Sequence, residues 1–221
     1  MHKEPDETAE AHIKLILDRY ADRENIGILH TPPDVMVKRY LNNIIQPNEL
    51  NGKVIFELGA GCSQYIPVFL NNRCARYYAN DIIPERLAAT RVDDNRYLEI
   101  PGDFRDIQVP ESVDIVFASL TMMLVMPMLD DFVAKIYSIL KADGLFLSMD
   151  SNYFCPLSVY RRFADRRANP VRLFSPFRYA DAFRQQRFEV ERLVPFTPPL
   201  PWTTGNWLMG TNFWLRARKR D

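Results

Sequence analysis

Between Lys53 and Asp150 the chain alternates about four times between short apolar runs and segments whose apolar residues recur at helical spacing. The runs "KVIFEL", "RYYAND", "RYLEIPGDF", "SVDIVFASL" and "LFLSMD" read as strands, and "SQYIPVFLNN", "PERLAATRV" and "DDFVAKIYSILK" as helices. The last places Val133, Ile136, Tyr137 and Leu140 on one side and is closed by "ADG". Two helices are expected before the first strand, in "TAEAHIKLILDRYADREN" and "PPDVMVKRYLNNII". Such alternation predicts an α/β sheet of parallel strands joined by right-handed crossovers, with ligands at the carboxyl ends of the strands.

Composition narrows the classes. A chain of 221 residues, 47% hydrophobic and 25% charged, can bury one substantial core. There is no basic start followed by an apolar stretch and no apolar window of membrane-spanning length, so the expected location is the cytoplasm. Three cysteines without a CxxC pair and three histidines give no metal-ligand spacing, so no metal is expected. The formal charge of zero hides an asymmetry: residues 151–221 hold 13 Arg and Lys against 5 Asp and Glu, with all three tryptophans. This end suits either a solvated basic surface or an anionic or planar partner.

The residues directly behind each strand are the ones to read for chemistry. Behind the first stand Glu57, Gly59 and Gly61; behind the second, Asp81; behind the third, Asp103; behind the fourth, Ser119 and Leu120. Glycines let the backbone turn tightly and approach a ligand, at the start of a helix with unpaired N–H groups. Asp81 lies 22 residues after Gly59, where an acid can accept from ribose hydroxyls. A carboxylate at Asp103 can accept from an adenine amino group, with Phe104 or Ile82 packing on the ring. Together these describe an adenosine pocket. A nicotinamide fingerprint would place Gly or Ala at residue 64, and the chain has Gln64.

The order "VIFELGAGCS" resembles the first motif of class I S-adenosylmethionine-dependent methyltransferases, and the resemblance runs on through "NDIIPERL", "PGDF", "VPESVDIVFASLTMMLV" and "IYSILKADGLFLSMD". It covers residues 53–150, and "RLFSPFRYADAFRQQRFEVERLVPF" and "NWLMGTNFWLRARK" look like the family's last helix, sixth strand and antiparallel seventh. The resemblance implies a Rossmann-like seven-stranded sheet, mostly parallel with an antiparallel last strand, helices on both faces and an N-terminal helical cap. Its cofactor is S-adenosylmethionine. By position, Gly59, Ala60 and Gly61 wrap the methionine part, with Glu57 bracing the loop or reaching its amino group. Asp81 holds the ribose, Asp103 and Phe104 lie at adenine, and Ser119 with Leu120 lies near the sulfonium. Two departures stand out: Ser63 replaces the motif's final glycine, and "KADG" replaces Pro-Gly-Gly.

One domain is expected over 1–221, with a helical cap at 1–50, the cofactor core at 51–150, an acceptor-side insertion and helix at 151–187 and a strand pair at 188–221. The aromatic and Arg-rich 151–187 segment, with Arg161, Arg162, Arg166, Arg167 and Arg172, suits a small apolar or aromatic methyl acceptor bearing an anionic group, methylated at O or N. If the acceptor needs a general base, His30 and Tyr153 are candidates, with Asp150 beside them. No nucleic-acid partner is expected; "PLSVYRRFADRR" could make peripheral membrane contact with a lipid-linked acceptor. The alternatives are a non-catalytic subunit of this fold that binds a partner protein and a methyltransferase acting on a protein acceptor.

Overall fold

A computed structural model describes residues 9–20, 41–61, 63, 65–164, 174–197 and 206–221. Its centre is β1 (Val54–Leu58), buried along its whole length, as a parallel strand covered on both faces must be. Around it lie β2 (Arg76–Asp81), β3 (Tyr97–Pro101), β4 (Val113–Ser119), β5 (Leu140–Ser151), β6 (Phe188–Phe196) and β7 (Asn212–Lys219), in the order β3-β2-β1-β4-β5-β7-β6. Strands β1 to β5 pair in parallel, and β7 runs antiparallel to both β5 and β6. The seven-stranded sheet with its antiparallel last strand is therefore as the sequence implies.

Register decides where the strands end. Leu58 is level with Asn80 on one side and with Ala118 on the other, so Gly59, Asp81 and Ser119 leave the sheet at the same height. Helices α2 (Ile66–Asn71), α3 (Pro84–Ala89), α4 (Leu129–Ile139), α5 (Pro156–Ala164) and α6 (Pro176–Gln185) connect the strands. Side chains alternate between two cores, because successive strand residues point to opposite faces. One core sets Ile55, Tyr77, Phe117, Leu147 and Trp214 against Tyr65 and Phe69 of the α2 region. The other sets Phe56, Val116, Phe146 and Phe213 against Val133 and Ile136 of α4 and Tyr179 and Phe183 of α6.

The "KADG" turn is placed differently from the expectation. Val113 pairs with Leu140 and Ile115 with Leu145, so β5 starts at Leu140 and Lys141–Gly144 form a bulge inside it. Asp143 sits at φ 57°, a left-handed conformation that Asp tolerates. A Cβ at Gly144 would meet the Lys141 carbonyl at 2.9 Å, so glycine is required at this tight point.

The N-terminal helix α1 (Ala9–Tyr20) lies against the Met126–Met128 turn that follows β4. Its buried face carries Ile16 and also His12, which is fully buried and donates through Nε2 to the Leu124 carbonyl at 2.6 Å. The second expected helix falls mostly on residues 21–40, outside the described residues. Its last apolar positions, Leu41 and Ile44, are buried in the first core.

Phe117 lies at the centre of that core, fully buried, with ring contacts at 4.7 Å to Tyr65 and 5.2 Å to Phe69. Phe117→Ala is expected to lower unfolding free energy by about 3–5 kcal/mol, read from urea titration. A loss below about 1 kcal/mol would contradict a tightly packed core at this position.

Candidate active site

The loop behind β1 is shaped by what each atom touches. Gly59 is at φ 66° and Gly61 at φ 40°, left-handed conformations that cost a side-chain-bearing residue roughly 1–2 kcal/mol. Space excludes a side chain at Gly59 as well, where a Cβ would stand 2.4 Å from Thr121 Oγ1, while one at Gly61 would press on Asp81 Oδ2 at 3.0 Å. The loop is tied to its neighbours through Ala60, whose N–H donates to the Asn80 carbonyl at 2.7 Å, and through the Gly61 carbonyl, which accepts from Thr90 Oγ1 at 2.9 Å. Cys62 and Gln64 lie outside the described residues.

Glu57 is the hub beneath this loop. It is 1% exposed and accepts from Ser63 Oγ at 2.7 Å and from the Tyr77 hydroxyl. Ser63 Oγ in turn accepts the Tyr65 N–H at 3.2 Å, which satisfies a free donor at the start of α2. The residue that departs from the glycine motif thus fastens the loop to the strand. Burial pushes the Glu57 carboxyl up to about 8; the Ser63 hydrogen bond opposes this and the charge of Asp81 adds to it.

Asp81 is 5% exposed, and its Oδ1 accepts the Ile83 N–H at 2.9 Å. Burial raises its pKa, against the Ile83 hydrogen bond and the Arg86 charge. Ile82 beside it is half-buried. Asn80 holds the next loop by donating to the Ile100 and Gly102 carbonyls at 2.8 and 3.0 Å.

At the end of β3 the side chains differ from the sequence reading. Phe104 is 2% exposed, and its ring sits between Phe56 and Phe132 with both centroids at 5.5 Å. It belongs to the core and presents no face to a ligand ring; an aromatic next to a strand end gives the same sequence signal in either role. Both Asp103 oxygens are engaged by Arg105, whose Nη2 lies 2.6 Å from Oδ2. Burial acts to raise the Asp103 pKa, but the Arg105 hydrogen bonds outweigh it and the net shift is downward. A ligand amino group here would share a carboxylate already paired within the chain.

Beyond β4, Leu120 adopts φ 55° and donates its N–H to the Met149 carbonyl at 2.7 Å. A leucine in the left-handed region is strained backbone, of the kind that concentrates at functional sites. Thr121, absent from the sequence reading, accounts for it. It is 9% exposed and wedged against Gly59, and its Oγ1 donates to the Ser119 carbonyl at 3.2 Å.

Two of the three expected proton acceptors, Tyr153 and Asp150, are among the described residues. His30 lies outside the described residues. Tyr153 is 47% exposed and packs edge-on against Phe154, which makes it part of an aromatic strip beyond β5. Asp150 is fully buried, with Oδ1 accepting the Met123 N–H at 3.1 Å and burial holding its pKa well above the usual range. It braces the loop after β4 from within. Among the described residues no group of His, Cys, Asp and Glu could hold a metal, and no helix is long and apolar enough to cross a membrane.

Two left-handed glycines over a buried acid, a second buried acid behind β2 and a strained turn behind β4 fit a cationic, hydroxyl-rich nucleoside. Residues 56–148 match the family model described as a methyltransferase domain. Over that stretch the chain is similar to S-adenosylmethionine-dependent methyltransferases. The match supports a methyltransferase with S-adenosylmethionine as cofactor.

Comparison with the curated proteins gives no sequence match. Solved structures share the fold at low identity. The chain is similar to the putative methyltransferase of Haloferax volcanii in its complex with the Trm112 methyltransferase activator, at TM-score 0.71 and 17% identity over 93% of this chain and 96% of that one. It is also similar to a possible histamine N-methyltransferase from Thermotoga maritima, at TM-score 0.69 and 15% identity over 93% and 98%. A third is the N-methyltransferase NodS from Bradyrhizobium japonicum in complex with S-adenosyl-L-homocysteine, at TM-score 0.65 and 10% identity over 95% and 98%.

The raised pKa of Glu57 has a signed consequence for this methyltransferase. Below its ordinary value of 4.5 the carboxyl is neutral whether the chain is folded or unfolded. Between 4.5 and about 8 the unfolded chain releases the proton while the folded one keeps it, so stability falls with rising pH across this window. Glu57→Gln, which resembles the protonated form, removes that loss. The stability of the variant relative to wild type is expected to grow from pH 5 to about 8 and then level off, as measured by urea unfolding at each pH. A difference independent of pH would contradict a neutral Glu57.

Proposed function

We propose that this methyltransferase acts on an O or N atom of a small, apolar or aromatic acceptor that carries an anionic group. The observation that carries the reading is the aromatic strip on the carboxyl side of the sheet. Phe154 and Phe177 lie at 5.8 Å, Phe177 and Trp207 at 5.0 Å, and Trp207 and Phe213 at 6.4 Å between ring centroids. Phe213 is buried and backs the strip; the tilted rings in front of it offer apolar area with little conformational entropy to lose. The segment that holds Phe154 and Phe177 carries six arginines between residues 151 and 180 against the single acid Asp165, which suits an anion.

In this reading Gly59, Ala60 and Gly61 cradle the methionine part of the cofactor, and Glu57 braces the cradle through Ser63. Asp81 accepts from the ribose with Ile82 beside it, Asp103 stands at the adenine end, and Ser119 and Leu120 border the reacting side. Bound there, S-adenosylmethionine supplies a methyl group on a good leaving group. The chain's contribution is alignment: in-line transfer gains most from holding the acceptor atom at near-attack distance. Leu120, pinned by Met149 and by Thr121 behind it, fixes the wall along which that alignment is set. A subunit that had lost catalysis would have no need to keep Gly59 and Gly61 in left-handed backbone, and the retained cradle supports an active enzyme.

Two measurements separate the parts of this proposal. Gly59→Ala is expected to weaken S-adenosylhomocysteine binding by at least about 100-fold in calorimetry, since the added methyl must displace Thr121. Asp81→Ala is expected to weaken it about 10-fold or more through the lost ribose contact, whereas Tyr153→Phe leaves it unchanged. Nucleoside binding by Asp81→Ala equal to wild type would remove the ribose assignment. Turnover on an acceptor panel then tests the acceptor class: methylation confined to polar, cationic acceptors would overturn it.

A further inference from the structure

Seven large apolar or aromatic side chains are exposed among the described residues, and six belong to the chain beyond β5: Tyr153, Leu157, Tyr160, Phe177, Leu208 and Met209. Only Leu98, on β3 at the far edge of the sheet, lies elsewhere. The six come from three neighbouring pieces. Tyr153 is joined through Phe154 to Phe177 at the start of α6, and Phe177 to Trp207, next to which Leu208 and Met209 are 63% and 66% exposed. Leu157 and Tyr160 stand three residues apart on α5, hence on one face of the helix. The helix is anchored through Ser158, whose Oγ donates to the Thr211 carbonyl at 3.0 Å. Isolated exposed apolar residues are ordinary on protein surfaces, but a contiguous group marks a site of contact.

Charge indicates what the contact is with. Residues 151–164, 174–180 and 206–217 contain no Asp or Glu at all. Arg161, Arg162 and Arg178 fall within the same stretches, and Arg166, Arg167 and Arg172 lie between the first two, with Asp165 among them and Asp181 just after the second. An average protein surface mixes both signs, and a soluble partner would normally meet a rim able to pair with both. Aliphatic tips at turns, tyrosines beside them and arginines well in excess of acids are instead the features that bind a charged interface. The tips enter the acyl boundary, the tyrosines sit at headgroup level and the cations meet anionic headgroups.

We propose that the face made by α5, the start of α6 and the Trp207–Met209 turn docks on the surface of an anionic lipid bilayer. It draws on the same aromatic strip and arginines as the acceptor reading, but vesicle binding and turnover are separate readouts, so either can fail alone. If both hold, the site opens beside the membrane, where an apolar acceptor would be concentrated.

Vesicle flotation of the full chain tests this. The wild type is expected to float with phosphatidylcholine vesicles containing about one third phosphatidylglycerol, to bind pure phosphatidylcholine at least about 10-fold more weakly, and to be released as salt is raised toward about 0.5 M. The triple variant L157D/L208D/M209D should lose at least about 10-fold in vesicle binding while its melting temperature and S-adenosylhomocysteine affinity stay unchanged. Leu98→Asp, outside the face, should float like wild type. A wild-type chain that ignores both vesicles overturns the proposal, as does equal, salt-insensitive binding to both. A soluble complex or self-association that depends on the same three residues, with no flotation, would assign the face to a protein instead.

Discussion

A buried carboxyl with two hydroxyl donors holds this enzyme's working end together. Glu57 closes β1 inside the sheet, and Tyr77 reaches it from the neighbouring strand while Ser63 reaches it from the loop above. An acid taken out of water is costly unless hydrogen-bonded or neutralised. Here both remedies operate, since burial raises the pKa to about 8 and the hydroxyls supply partners. The glycine loop is therefore not a free flap. Its position follows from the strand through Glu57, from β2 through Asn80 and from α3 through Thr90.

The opposite wall of the site is built by a different means. Leu120 is held in an unfavourable backbone conformation because its amide is taken by Met149 and because Thr121 must fill the space that Gly59 leaves open. Below the same loop Asp150 holds the Met123 amide, and above it His12 of α1 holds the Leu124 carbonyl. Strain at one residue persists because several neighbours fix it. The cofactor loop and the β4 loop are consequently packed against each other: the glycine that allows the turn also admits the threonine that supports the wall.

Much of this was legible from residue order. The alternation of apolar runs located the strands, and the small or acidic residues behind them, Gly59, Gly61, Asp81 and Ser119, marked where the loops begin. What misled was the ring of Phe104, which the spacing places at a ligand and the packing places between Phe56 and Phe132. A sequence gives the position of an aromatic along the strand, but the direction of its side chain depends on the turn that follows. Thr121 and His12 carried no signal, and Asp150 was read only as a candidate base, because their roles arise from contacts 62, 112 and 27 residues away in the chain.

Local chemistry is what the sequence by itself determined: where strands end, where glycine is needed, and the family that this pattern implies. Tertiary structure decided what fills the space between those points. Ser63 shows the division well. As a letter it was a gap in a glycine motif, because a motif records only what is absent. Folded, its hydroxyl lies between Glu57 and the Tyr65 amide, and the same residue becomes the link from strand to loop. The physical reason is that hydrogen bonding and packing depend on distances in space, which residue order constrains only within an element. Across elements, the level register of β1, β2 and β4 sets them.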